Sequence, residues 1–382
     1  MKSNMEKRVF LIVLDGLGAG EAPDAESFGD LGAHTIKSLY KTSELRIDSL
    51  RSLGMGNIDG LDFLGELSSY SASIARLREL SNGKDSTVGH WEMAGYISRV
   101  PLPTFKDGFP PDIIKKIEDI SGHSVICNKA YSGTQVLEDY GKQSIEEDAL
   151  IVYTSADSVL QIAAHTDKVF LDELYLICLR LREELNGAEY GVGRIIARPF
   201  TTVYKRKFVR TDDRRDFSLS PPTVLLPQTI KKRGLSSIAV GKIYDIFAGV
   251  GFTEHILTHS NGEVMSALDE YVRKDFCGLC FVNLVDFDTL WGHRRDVLSY
   301  VKGLNAFDAW LGDFLPKLRE NDTLIITADH GCDPSFTKST DHTREYVPYI
   351  EYSPKADARN YGTVEGFNFV SKRVLELLGA EK

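Results

Sequence analysis

No apolar run in this sequence approaches the roughly 18–20 residues that cross a bilayer; its strongest, Val9–Leu14, is six residues long and ends in Asp15. A charged start precedes that run, but no small-residue cleavage site follows it, so a buried strand is predicted rather than a secretion signal. Cysteine is scarce: Cys127, Cys178, Cys277, Cys280 and Cys332 are the only five in 382 residues. That excludes a disulfide framework. Cys277-Gly-Leu-Cys280 has redox or zinc-site spacing, yet no second pair exists and an apolar strand follows directly, so two buried structural thiols are expected. Surplus positive charge is also lacking. The 45 basic side chains face 55 acidic ones, a net charge of -10, which argues against a nucleic-acid or anionic-membrane partner. These absences together predict a soluble, cytoplasmic protein.

What is present is ordinary in bulk, with 42% hydrophobic and 26% charged residues, and rules out wholesale disorder. The length exceeds one usual core, so two domains are expected. Val9–Leu14, Leu150–Tyr153, Ser236–Val240, Leu279–Val285 and Leu324–Thr327 are short, continuously apolar runs rich in β-branched residues. Continuous rather than alternating hydrophobicity predicts strands of a parallel sheet covered on both faces. Val297, Val301, Leu304, Leu311, Leu315 and Leu318 repeat at helical spacing, as do Leu174, Ile177, Leu181 and Leu185. Strand and helix patterns alternate, so the fold class is α/β with helices flanking the sheet. Pro-rich stretches at Pro101–Pro111 and Leu219–Pro222 read as crossings between domains. They predict a discontinuous core, 1–100 and 221–382, with a smaller α/β domain inserted at 101–220.

In such sheets ligands gather beyond the carboxyl ends of the strands. Asp15 ends the first run; Asp288 and His293 follow the fourth; Asp329 and His330 follow the fifth, with His342 shortly after. Taken singly, each has a bland reading: Asp15 as a helix cap, Asp329-His330-Gly331 as a polar turn, His293 as a solvated loop. Three carboxylates and three imidazoles together point to oxygen and nitrogen ligands for Mn²⁺, Zn²⁺ or Mg²⁺. Six ligands divide between two ions, the arrangement that clamps both oxygens of an in-line phosphoryl displacement. The Gly-flanked loop Asn82-Gly-Lys-Asp-Ser-Thr-Val-Gly-His-Trp-Glu92 adds two hydroxyls, Ser86 and Thr87. Either is a candidate nucleophile or simply a helix cap.

These segments, with Gly20-Glu-Ala-Pro-Asp24, Tyr153-Thr-Ser-Ala-Asp through His165, and Asp341-His-Thr-Arg-Glu-Tyr-Val-Pro348, resemble prokaryotic phosphopentomutases of the alkaline phosphatase superfamily along nearly the whole chain. The resemblance implies an alkaline phosphatase-like core with an inserted mobile cap. It implies one Mn²⁺ held by Asp15, Asp329 and His330, another by Asp288, His293 and His342, and a phosphorylated hydroxyl bridging them. Alignment places Ser86 at the family's acceptor threonine. By the same resemblance Arg198, Arg214 and Lys242 hold the non-reacting phosphate of a pentose phosphate, and Asp157 faces the sugar. A sugar bisphosphate is expected to prime the enzyme, and a monomer is compatible with the family pattern. The rival expectation is a paralogous mutase or phosphohydrolase for another sugar phosphate. Gly16, Val88 and Cys332 stand where the family usually has Ser, Thr and Asn, and all three fall close to the site.

Overall fold

The computed structural model describes residues 7–155, 158–186, 190–203 and 207–380. In chain order the strands begin with β1 (Arg8–Leu14), β2 (Ser73–Arg78), β3 (Val125–Ala130), β4 (Leu150–Thr154) and β5 (Val159–His165). They continue with β6 (Arg194–Val203), β7 (Lys207–Arg210), β8 (Arg215–Ser218), β9 (Ser236–Val240) and β10 (Glu254–Ile256). The last are β11 (Gly278–Leu284), β12 (Asp322–Thr327), β13 (Val347–Tyr352) and β14 (Asn360–Glu365). By contact density the chain divides into two compact units, residues 1–100 with 221–382, and residues 101–220.

The first unit is built on a sheet ordered β10-β9-β11-β1-β12-β13-β2-β14 among the described residues. Every neighbouring pair is parallel except those of β13, which runs against both β12 and β2. A parallel sheet is therefore the right reading apart from one reversed strand. β1 and β11 are buried along their whole length, which is why their sequences show no alternation: both faces of a central strand meet helices. The expected helix from Val297 runs to Phe314; a 3₁₀ turn, Leu315–Lys317, then tightens the chain before β12.

Register fixes where the site lies. Leu14 pairs with Leu284 and Val13 with Thr327, so β1, β11 and β12 end level with one another. At the opposite end Arg8 forms a buried pair with Asp322 and donates to the Val272 carbonyl at 3.0 Å. The residues just beyond Leu14, Leu284 and Thr327 are thus brought to one edge.

The second unit has a smaller sheet, β3-β4-β5-β6-β7 with β8 also on β6, mixed in direction. The helix Leu171–Glu184 packs Leu174, Ile177, Cys178 and Leu181 into its core. Among the described residues no helix is long and apolar enough to cross a membrane. Cys280 is buried as expected, but Cys277, just before β11 starts, is only half-buried.

Candidate active site

Beyond β1 the chain turns sharply at Gly16, whose φ of 78° lies in the left-handed region that glycine adopts without penalty. This leaves Asp15 buried, with Oδ2 accepting from Asn283 Nδ2 at 3.0 Å. The Gly16 N–H donates across to Asp329 Oδ1 at 3.1 Å, tying the end of β1 to the end of β12. After β11 the segment Phe287–Gly292 forms a π-helical turn, closed by the His293 N–H donating to the Asp288 carbonyl at 3.0 Å. The wider turn places residues five apart on one side, and His293 Nε2 lies 3.4 Å from Asp288 Oδ2. His342 arrives from a different segment, because a bridge between Gly331 and Thr343 runs the two loops antiparallel. The His330 and His342 rings come within 4.0 Å of each other.

All six predicted ligands therefore meet. Asp15, Asp329 and His330 offer donor atoms within 4.8 Å of one another, as do Asp288, His330 and His342. His293 joins Asp288 in a third group whose other member is Cys332. Two imidazoles are oriented through their other nitrogen: His293 Nδ1 lies 2.7 Å from the Thr340 carbonyl and His330 Nδ1 lies 3.1 Å from the Gly331 carbonyl. Donation from Nδ1 fixes the tautomer and turns the Nε2 lone pair toward the carboxylates, as in metal-ligating histidines.

The electrostatics suit a divalent cation. Asp15 is pushed up to about 8, by burial first and then by the Asp329 and Asp288 carboxylates; Lys242 and His90 pull the other way. Burial also works to raise Asp288, yet His293 and His342 hold it well below the carboxylate range. Burial brings His330 down to about 4, so that it stands neutral, as a ligand must. Asp15 Oδ1, Asp288 Oδ1 and Asp329 Oδ2 are buried and face ring nitrogens of His330, His342 and His90 at 3.4, 3.4 and 3.1 Å. Three carboxylates gathered in one buried site are costly unless cationic charge balances them. The residues fit divalent metals. Adding Mn²⁺ to chelator-treated protein should raise its unfolding midpoint, with about 2.7 kcal/mol of added stability at a hundredfold excess over Kd. Thermal melts across a Mn²⁺ titration check this; a midpoint indifferent to the ion would refute the fit.

Ser86 opens the helix Ser86–Met93, and the cap of that helix is Asp85, whose Oδ1 accepts from Thr87 and Val88 N–H at 3.0 and 3.1 Å. The Ser86 hydroxyl is not spent on capping. It lies 3.2 Å from His330 Nε2, beside the carboxylates and at a helix N-terminus, where an attached anion is favoured. Gly89 lets this helix sit tightly, since a Cβ there would fall 2.1 Å from the Asp329 carbonyl oxygen. Val88 is wholly buried.

Two supporting residues escaped the sequence reading. His90 is buried with Nδ1 3.1 Å from Asp329 Oδ2 and 2.7 Å from the Ser86 carbonyl, and Nε2 3.2 Å from Asn283 Nδ2. Asn283 in turn holds Asp15. The available signal was Asn283 itself, an amide within an otherwise apolar strand.

Of the predicted substrate residues, Asp157 lies outside the described residues. Lys242 follows β9 at the same sheet edge, half-buried, its charge felt by Asp15. Arg198 and Arg214 belong to the 101–220 unit. Arg198 lies half-buried in β6, its Nε–H donating to no partner, and is brought to about 10 by burial, with Arg214 and Arg210 acting in the same direction. Arg214 is more exposed and makes a two-pronged pair with Asp216, 2.8 Å at each contact. These guanidiniums with Tyr153 form a cationic cluster suited to phosphate oxygens.

The comparisons with known proteins agree with this chemistry. The metalloenzyme superfamily matches residues 7–382. A phosphopentomutase from Lachnoclostridium phytofermentans is 50% identical over 97% of this chain and 95% of its own. One from Clostridium novyi is 46% identical over 99% of this chain and 96% of its own. A solved structure from Pyrococcus horikoshii shares the fold at a TM-score of 0.51, with 13% identity over 99% of each chain. The chain belongs to the phosphopentomutase family of the metalloenzyme superfamily.

Proposed function

We propose that this protein interconverts α-D-ribose 1-phosphate and ribose 5-phosphate, and their 2-deoxy analogues, through a phosphoserine at Ser86. The observation that carries the reading is a helix-start hydroxyl not used for capping, beside six clustered Asp and His side chains of which all but His293 are buried. Asp15, Asp329 and His330 would hold one Mn²⁺, and Asp288, His293 and His342 the other. When bound, the two ions supply positive charge against the charge that develops on the transferring phosphoryl oxygens.

The residues do the rest. The helix N-terminus and the cap at Asp85 fix where the Ser86 oxygen points. Asn283 and His90 hold Asp15 and Asp329 in register, so the acceptor geometry needs no adjustment during transfer. The Ser86 Oγ–phosphorus bond breaks as a sugar hydroxyl oxygen takes the phosphoryl group. The resulting bisphosphate turns round and returns its other phosphoryl group to Ser86, so a catalytic amount of sugar bisphosphate primes the cycle. Arg198, Arg214 and Lys242 supply donors for the phosphate that is not reacting, and Asp157 would face the sugar as an acceptor for its hydroxyls. The 101–220 unit serves as the cap that keeps water from the phosphoserine, which separates a mutase from a phosphatase.

The test is intact-mass analysis after incubation with Mn²⁺ and ribose 1,5-bisphosphate, followed by peptide mapping. Phosphate on Ser86 that passes to ribose 5-phosphate is the expected result. Phosphate on Thr87, or none, would overturn the assignment, and steady release of free phosphate without isomer would make the protein a hydrolase.

A further inference from the structure

We propose that Cys332 supplies a thiolate ligand to the ion held by Asp288 and His293, giving that position a preference for thiophilic divalent metals. The inference rests on the two-ion reading above and extends it to a residue outside the six ligands. Cys332 Sγ, an Asp288 carboxylate oxygen and a His293 ring nitrogen lie within 4.8 Å of one another. Donors about 2.0–2.3 Å from one ion lie at most about 4.6 Å apart, so these three need draw together only slightly to share one. Cys332 is completely buried, beside the Asp288 carboxylate. His342 Nε2 lies 3.4 Å from Oδ1 of the same carboxylate and His293 Nε2 3.4 Å from its Oδ2, so the sulfur joins a carboxylate already flanked by two imidazoles.

The backbone is shaped around this sulfur. The Cys332 N–H donates to the Gly16 carbonyl at 2.8 Å, which holds the residue against the end of β1. A Cβ on Gly292 would fall 2.6 Å from Sγ, and one on Gly16 would fall 2.9 Å from the Cys332 Cβ. Glycine at both positions gives the sulfur its space. Gly16 and Cys332 are thus in contact with each other. A cysteine here offers a soft anion. Thiolate favours Zn²⁺ and Co²⁺ over Mn²⁺ and Mg²⁺, which prefer oxygen. As the sulfur–metal bond forms, the thiol proton leaves to solvent, so binding through Cys332 releases one proton more than binding through the six Asp and His residues alone.

The experiment is a Co²⁺ titration of chelator-stripped protein followed by optical absorption, in wild type and in Cys332→Asn. A sulfur-to-cobalt charge-transfer band in the near ultraviolet is expected in wild type and should vanish in the variant, which keeps the other four cysteines. Competition of Zn²⁺ against Mn²⁺ should show the variant losing roughly tenfold or more of its Zn²⁺ preference. Cys332→Ser, closer in size and checked by circular dichroism, guards against misfolding of the asparagine variant. Ligand-field bands without the charge-transfer band, or a band of equal strength in both proteins, overturn the thiolate while leaving two-ion binding standing. Absence of any Co²⁺ binding overturns both.

Discussion

Ser86→Ala should abolish phosphoenzyme formation and lower mutase turnover by roughly 10⁴-fold or more, while leaving Mn²⁺-induced stabilisation in place. Removing the atom that carries the phosphoryl group removes the covalent route itself, and losses of nucleophiles are of this size. The metal-binding groups do not depend on that hydroxyl. Asp85, not Ser86, caps the helix, so the Ala variant keeps its N–H partners. Alanine is also a good helix former at an early position. The fold should therefore survive, and turnover with ribose 1-phosphate, phosphate content by mass and the Mn²⁺ melt can be read on one sample. Ser86→Thr, which restores the family's usual hydroxyl, should recover much of the activity. Thr87→Ala should cost far less, since its neighbour carries the chemistry. Activity retained in Ser86→Ala and lost in Thr87→Ala would move the acceptor one residue along.

Where the sequence was legible, the reason was local. Asp15, Asp288 and Asp329 each follow a strand whose continuous apolar run announced a buried parallel position, and parallel strands in register deliver their ends to one edge. His342 needed more: it reaches the site through a two-residue bridge to Gly331, which no periodicity encodes. The pairing of Asp288 with His293 was visible only as a spacing of five, which an α-helix would place on different faces; the π turn makes them neighbours. Asp85, Ser86 and Thr87 are all competent caps by type, so propensity could not choose among them. The extended backbone at Asp85 did, and freed the serine. His90 and Asn283 were hidden because they meet across the chain, 193 positions apart. The direction of β13 was equally invisible, since a buried strand reads the same either way.

The largest stability effect is expected at Arg344, where Arg344→Met should cost about 3–5 kcal/mol and loosen the loop that presents Ser86. Its guanidinium is 2% exposed. It donates to Glu79 Oε2 and to the Gly83 carbonyl at 2.6 Å each, to the Glu79 carbonyl at 3.0 Å, and to Asp24 Oδ2 at 2.9 Å. One cation thus joins the end of β2, the loop before Ser86 and the segment around Asp24. Methionine fills the stem's volume but strands the Glu79 carboxylate, which burial already pushes well above its ordinary range and which Arg344 holds back. The sign of the pH dependence follows. With Arg344 gone, the folded pKa of Glu79 rises further above its unfolded value, so the folded state loses stability as pH rises through that raised pKa. The defect should be smaller near pH 5, where Glu79 can take a proton, than near pH 8. Glu79→Gln added to Arg344→Met should recover part of the loss, because it removes the uncompensated charge, and a double-mutant cycle isolates that coupling. Urea unfolding of the four proteins at both pH values measures it. Equal destabilisation at the two pH values, with strictly additive single effects, would show that Arg344 acts by packing rather than by charge.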